Sequence, residues 1–353
     1  MIRFESVTKR YADGTVAVDD LSLEVPQGGI TVLVGPSGCG KTTSLRMINR
    51  MVEPTEGRIL IKGEDIAARK PAQLRRSIGY VIQHAGLFPH RTVLANVMTV
   101  PKLIGWDTAR ARSAAMEAIE KVGLTQGQAS RYPGQLSGGQ QQRVGVARAL
   151  ASDPDVVLMD EPFSAVDPLV RGELQSEVRR LQQELGLTAV LVTHDIDEAL
   201  LLGDHVAVLR QGGRLAQLAT PAELLADPAD DFVASFVGKD RGYRALGFAD
   251  ARVEPRPEPT VRLGEQVQAG AGWVLVVDET DGPLGWVEAN GHGGSVTEDR
   301  LHRLGTLAGP SDSARTLLDA ALSSPSHRGV LVEEGRVVGT VGADQVLAAV
   351  EAT

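Results

Sequence analysis

Apolar residues fall in short, nearly continuous runs over the first two thirds of the chain, separated by polar or glycine-rich segments. Residues 2–7 and 21–25 read as strands joined by the polar segment YADGTVAVDD, because runs of β-branched and aromatic residues between turn formers favour extended chain. A third run, 30–34, ends in a glycine-rich loop and leads into a helix over 41–49, a strand, loop and helix unit. Residues 107–122 are alanine-rich with helical periodicity. Further helices, near 140–151 and over 168–185, each lead into a bare apolar run, 156–159 and 189–192. Such runs lack the alternation of a half-exposed strand. Interleaved with helices, they predict a parallel sheet covered on both faces, with ligands gathered at its carboxyl edge. The expected fold class is α/β.

The pattern changes near Lys239, where KDRGYRALGFADARVEPRPEP shows neither period and predicts a linker over 241–259. Beyond it, VLVVDETDGPLGWV (274–287) aligns with VLVEEGRVVGTV (330–341), and both read as hairpins. DSARTLLDAAL before the second copy and ADQVLAAV after it predict helix, strand, strand, helix, whereas the first copy shows no clear helices. The expected organisation is a domain over 1–240, with a helical subdomain at about 87–150, and a small α+β domain over 260–353.

Composition narrows the function. No run of about 18 apolar residues occurs, and the start, MIRFESVTKRY, lacks the sections of a secretory signal. A membrane role is therefore expected to run through a partner. The single cysteine, Cys39, cannot form an internal disulfide, and the seven histidines show no metal-ligand spacing. Of the 36 basic and 45 acidic side chains, residues 250–353 hold 8 and 16, and no lysine. That asymmetry argues against general nucleic-acid affinity, which needs concentrated positive charge.

The chemistry-bearing residues come in order. GPSGCGKT comprises Gly35, Pro36, Ser37, Gly38, Cys39, Gly40, Lys41 and Thr42, with Thr43 next, and meets the full phosphate-loop pattern between a strand and a helix. Its backbone N–H groups can curve around phosphate oxygens. Lys41 can reach the terminal phosphates, and the Thr42 hydroxyl can ligate Mg2+. In VVLMDEP a buried strand delivers Asp160 and Glu161 to its end. Asp160 suits magnesium, held through water, and Glu161 suits the attacking water, a role worth about 10²- to 10⁴-fold in rate. LSGGQQQR (136–143) precedes an alanine-rich helix and, read alone, is also a serine–glycine helix cap.

With that segment the chain resembles the ABC-transporter ATPases, and further matches follow in family order: Tyr11, Gln83 in YVIQHAGLFPH, Asp167 closing SAVD, and His194 in LVTHD. The resemblance implies a P-loop NTPase fold, with Tyr11 stacked on adenine, Gln83 near the magnesium and His194 sensing the terminal phosphate. It implies that Ser137, Gly138, Gly139, Gln140 and Asp167 serve the ATP of a second copy, so that a homodimer is the enzyme. It implies permease subunits touching about 87–122, a solute-binding protein acting indirectly, and a place on the cytoplasmic face of the membrane. No heptad pattern suggests the coiled-coil arms of DNA-repair relatives.

RMINRMVEPTEG (46–57), IGYVIQHAGLFPHRTV (78–93), VPKLIGW (100–106) and FVGKDRG (236–242) are similar to the glycine betaine, carnitine and choline importer branch. An importer ATPase for another small polar solute, such as an amino acid, and a soluble ABC ATPase are the alternatives. The tail resembles a reduced tandem of cystathionine-β-synthase-type modules, with Asp344 at a position that commonly holds a ribose but Gly342 near that of the partner threonine. Trp273 and Trp286 read as core residues.

Overall fold

The computed structural model describes residues 1–83, 85–289 and 293–351, and the chain divides into two units between Val237 and Gly238. The strands of the first unit are β1 (Ile2–Arg10), β2 (Val16–Val25), β3 (Ile30–Val34), β4 (Glu56–Ile61), β5 (Glu64–Asp65), β6 (Ile78–Val81), β7 (Val156–Asp160), β8 (Thr188–Val192), β9 (His205–Leu209) and β10 (Leu215–Ala219). Its α-helices are α1 (Lys41–Ile48), α2 (Pro71–Arg76), α3 (Val93–Val97), α4 (Thr99–Leu103), α5 (Thr108–Lys121), α6 (Gln126–Ala129), α7 (Gly138–Leu150), α8 (Pro168–Leu185), α9 (Ile196–Leu202), α10 (Pro221–Ala226) and α11 (Asp231–Val237).

Two sheets share the core. The larger has the order β10-β9-β3-β8-β7-β6 and is parallel except for the edge strand β10. Every residue of β3, β7 and β8 is buried, which is why these strands read as bare apolar runs: helices or a second sheet cover both faces. The smaller sheet, β2-β1-β4-β5, is antiparallel. Phe4, Leu21 and Ile59 from it pack with Leu45 of α1 and with Leu33, Leu158 and Val190 of the parallel sheet. In the helical part, α3, α5 and α7 pack on one another. Ala111, Ala115 and Ala118 on one face of α5 are buried, the small side chains that let helices approach closely.

The polar connection expected before residue 21 is shorter than its composition suggests. Tyr11 N–H donates to Thr15 O at 2.9 Å and Gly14 N–H to Tyr11 O at 3.0 Å, closing a tight turn from which β2 already starts at Val16. Cross-strand pairing of Lys9 with Val18 and Arg10 with Val16 outweighs local polarity.

The second unit corrects the expected linker. Residues 241–245 are helical, Asp250 and Arg256 form β-bridges with Ser313 and Thr340, and Ala251 is 3% exposed in a core with Leu317, Leu331 and Val341. The alternating prolines that read as linker suit an edge strap. Pro255 and Pro257 have no N–H to satisfy, while Arg256 between them exchanges both backbone bonds with Thr340, at 2.8 and 2.9 Å.

Both expected hairpins are present, Trp273–Val277 with Pro283–Glu288 and Arg328–Glu333 with Arg336–Gly342. Helices Ala314–Ser323 and Ala343–Glu351 flank the second. The described residues around the first hold no α-helix between Arg262 and Ser313, only short strands and a 3-10 turn at Glu298–Arg300. The apolar residues split into three small clusters; Trp286 is fully buried in one, and Trp273 is partly buried against it.

Candidate functional site

Sheet order assembles the site. β3, β8 and β7 are neighbours, and Leu33 and Asp160 both pair with Val192. The residues that follow, the phosphate loop after Val34, Thr193 and His194 after β8, and Glu161 after β7, therefore emerge together at the carboxyl edge.

Two glycines of the loop are required by sterics. Gly35 has φ 153° and a Cβ there would lie 2.3 Å from Leu209 O; Gly40 has φ 107° and its Cβ would lie 2.2 Å from Ala17 O. Residues 37–43, Ala17 and Glu161 line a cleft of about 290 Å3. Lys41, 6% exposed, donates to Gly35 O at 2.8 Å and Pro36 O at 3.0 Å, which holds its ammonium at the loop. Cys39 is fully buried, and burial pushes its thiol up against the opposing pull of the Lys41 ammonium. It is a small filler rather than a thiolate.

The Thr42 hydroxyl donates to Asp160 Oδ1 at 3.0 Å, and Asp160 is 7% exposed. Its other oxygen, Oδ2, accepts from Arg46 at 3.4 Å and from the Tyr80 hydroxyl at 3.3 Å. Among the described residues no group of three or more His, Cys, Asp or Glu forms a metal cage. A hydroxyl and a carboxylate beside a phosphate loop nevertheless fit magnesium, which takes one or two protein oxygens and fills its octahedron with water and phosphate.

Glu161 is strained. Its φ of 46° is left-handed, its N–H is held by Val192 O at 3.0 Å, and its carbonyl accepts the Ser164 hydroxyl at 2.9 Å. Such conformations cost energy and cluster at functional sites. Here the turn brings Glu161 Oε2 within 3.3 Å of Nδ1 of the exposed His194. A small cavity of about 70 Å3 behind them is bounded in part by Arg171 and Glu198. Glu198 is 7% exposed, its carboxyl is pushed up by burial, and Gln175 donates to it at 3.0 Å. Neither Arg171 nor Glu198 carries a sequence signal of its own.

The remaining predicted residues are not among those that line this cleft. Ser137 caps α7: its hydroxyl accepts from Gln140 N–H at 3.3 Å and Gln140 Oε1 accepts from Ser137 N–H at 3.1 Å, a reciprocal capping box. Gly138 is exposed, and Gly139 is buried against Val170, where an added Cβ would meet Cγ1 at 3.1 Å. Asp167 opens α8, its carbonyl accepting from Val170 and Arg171 N–H. Tyr11, 41% exposed beneath the Lys9 ammonium, and Gln83, exposed just after β6, are not among the cleft-lining residues.

A phosphate loop between β3 and α1, beside a strand tipped by two acids, defines a P-loop nucleoside triphosphatase. Residues 18–164 match the family model described as ABC transporter. The osmoprotectant import ATP-binding protein OsmV of Salmonella typhimurium is 42% identical over 365 residues, an alignment covering 98% of this chain and 95% of that protein. The carnitine transport ATP-binding protein OpuCA of Listeria monocytogenes is 52% identical over 241 residues, 68% of this chain and 60% of that one. Among solved structures, the dimeric ATP-binding cassette MJ0796 bound to ADP and Pi aligns with a TM-score of 0.57 and 33% identity, over 63% of this chain and 99% of its own. The chain belongs to the ATP-binding subunits of ABC transporters, and it is an ATPase. Among its described residues no helix is long and apolar enough to cross a membrane.

Proposed function

We propose that this chain powers the import of osmoprotectants of the glycine betaine, choline, carnitine and proline betaine class, acting as a pair of copies held by permease subunits at the cytoplasmic face of the membrane. The observation that carries the solute class is the similarity to OsmV, which runs through 98% of the chain and so includes the second unit as well as the ATPase unit. The solute itself is bound elsewhere, by permease and binding protein.

In this reading the backbone N–H groups of residues 37–43 and the Lys41 ammonium hold the ATP phosphates in the loop that Gly35 and Pro36 open, and Thr42, Asp160 and Gln83 face the magnesium that accompanies them. Bound magnesium neutralises charge on the phosphates and fixes their geometry. Glu161 orients and deprotonates the attacking water, and His194, 3.3 Å away, bonds the terminal phosphate and registers its departure. Ser137, Gly138, Gly139, Gln140 and Asp167, none of them lining their own chain's cleft, serve the nucleotide of a second copy; Tyr11 stacks on adenine.

The dimer then closes on ATP and reopens after hydrolysis, because ATP binds the closed form more tightly than its products do. The second unit is a reduced regulatory tandem of the cystathionine-β-synthase type, supported by its two hairpins. Uptake of labelled betaine, choline and carnitine by cells with and without this chain tests the assignment. Loss of uptake of at least one on deletion, restored by the chain but not by its Glu161→Gln variant, is expected; unchanged uptake of all of them rejects it.

A further inference from the structure

The two carboxylate oxygens of Asp160 face different neighbours. Oδ1 meets the Thr42 hydroxyl at 3.0 Å, on the phosphate-loop side. Oδ2 accepts from Arg46 Nη2 at 3.4 Å and from the Tyr80 hydroxyl at 3.3 Å. Neither donor is among the residues that line the nucleotide cleft.

The fold delivers both donors for simple geometric reasons. Thr42 and Arg46 are four residues apart on α1 and so share a face. Tyr80 is the register partner of Leu158 in the β6–β7 ladder, and Asp160 lies two residues beyond Leu158, on the same face of the sheet. One helix thus supplies a group to each oxygen, and the neighbouring strand adds a second donor to Oδ2. With two donors on Oδ2, rotation of the carboxylate is arrested with Oδ1 turned toward Thr42.

The geometry points to Arg46 and Tyr80 as positioning residues that lock the rotamer of Asp160 for the magnesium accompanying ATP. This rests on Asp160 and Thr42 being the magnesium-side pair, as proposed above. Carboxylates that ligate metals are commonly held by such hydrogen bonds, whose loss weakens metal binding about 10- to 100-fold. The two donors differ in kind. Arg46 also offsets part of the Asp160 charge, whereas Tyr80 is a neutral donor that also bonds Arg46, so Tyr80→Phe removes hydrogen bonds while leaving the charges around Asp160 in place.

The test titrates a fluorescent ATP analogue onto the full chain, in EDTA and across a magnesium series, with the magnesium dependence of hydrolysis measured beside it. Tyr80→Phe and Arg46→Ala are expected to bind the analogue in EDTA as the parent does and to need about 10-fold more magnesium for half-maximal enhancement, with Arg46→Lys between. A parental magnesium midpoint in both Tyr80→Phe and Arg46→Ala overturns the inference, as does an equal loss of affinity with and without magnesium. Should Arg46→Ala fail to fold, Tyr80→Phe, which removes one oxygen, carries the test. An Asp160→Asn control separates the two levels: if it too keeps the parental midpoint, the underlying magnesium reading fails; if it alone shifts, only the role of Arg46 and Tyr80 does.

Discussion

The two units use the same kinds of element to different ends. In the first, a six-stranded sheet with fully buried central strands forms a platform, and the polar groups that matter sit at or beyond its strand ends: Lys41, Asp160, Glu161 and His194. In the second, three small apolar clusters replace one core, and polar groups are drawn into the packing itself. Glu258, with a side chain 6% exposed, pairs with Arg328 at 3.3 Å and accepts the Thr340 hydroxyl at 3.1 Å. Arg328 also lies over the Trp286 ring and donates to Trp273 O. A large core can leave its edge free for chemistry, whereas a small one needs its polar residues to hold it together. Edge substitutions in the first unit should therefore change rate with little effect on stability, and substitutions in the second should do the reverse.

The largest effect is expected at Glu161. Glu161→Gln keeps the shape of the side chain and removes the base, so single-turnover hydrolysis should fall about 10²- to 10⁴-fold, while ATP binding and the thermal midpoint stay parental. A variant that hydrolyses at the parental rate removes Glu161 from the chemistry. One that unfolds instead places Glu161, like Glu258, among the structural groups and breaks the contrast between units.

Ser137 tests whether one residue can belong to both categories. Its capping box with Gln140 is structural, and replacing the serine by alanine should cost about 1 kcal/mol. Aspartate caps a helix as well as serine does but would set a negative charge against the phosphate of the second copy. Ser137→Asp should therefore keep the thermal midpoint of the parent and lose ATP-driven dimerisation, read by size-exclusion chromatography in a Glu161→Gln background. Dimerisation at the parental ATP concentration would leave Ser137 as a cap and nothing more.

These contrasts explain what the sequence made legible. The phosphate loop and the acid-tipped strand were readable because their function demands fixed spacing: Gly35 and Gly40 cannot carry a Cβ, and Glu161 must follow the last residue of a buried strand. Arg46 and Tyr80 were not singled out, because their roles depend on which helix and which strand lie against β7, a fact of tertiary order. The strap was misread for a related reason. Prolines alternating with charges look like a linker when the partner is unknown, and the partner, Thr340, lies 84 residues from Arg256. The repeat of hairpins was visible because alternation is local; the clusters they build are not.

In the second unit the strongest response is expected at Arg328. Arg328→Met keeps an apolar contact on Trp286 but leaves the Glu258 carboxylate without its cation. Breaking one side of a fully buried pair costs about 3–5 kcal/mol; with the Arg328 side chain 39% exposed and solvent-screened, about 1–2 kcal/mol is expected. The pH dependence has a definite sign. Burial raises the Glu258 carboxyl above its ordinary 4.5, with Arg328 opposing. Between that value and the raised one the folded state holds more protons than the unfolded state, so stability falls as pH rises. Without Arg328 the rise is larger. The deficit of the variant, from urea unfolding, should grow as pH climbs above 4.5 and be least in acid, with ATP affinity unchanged. A deficit independent of pH would assign the role of Arg328 to packing on Trp286 alone.

The smallest effect is expected at Asp344. Its ion pair with Arg256 is 2.8 Å long, but the side chains are 54% and 69% exposed, a setting in which ion pairs add little. The strap is held by the backbone exchange between Arg256 and Thr340 and by Glu258, not by this pair. Asp344→Asn should therefore leave the thermal midpoint of the second unit within experimental scatter. Because Arg256 holds the Asp344 carboxyl below its ordinary 3.8, any residual contribution should be present above that pH, fade as the pH falls through the lowered value, and weaken in added salt. A drop as large as that of Arg328→Met would mean that surface charge, rather than buried pairing, fastens the strap, and that the two units differ less in how they are held than their cores suggest.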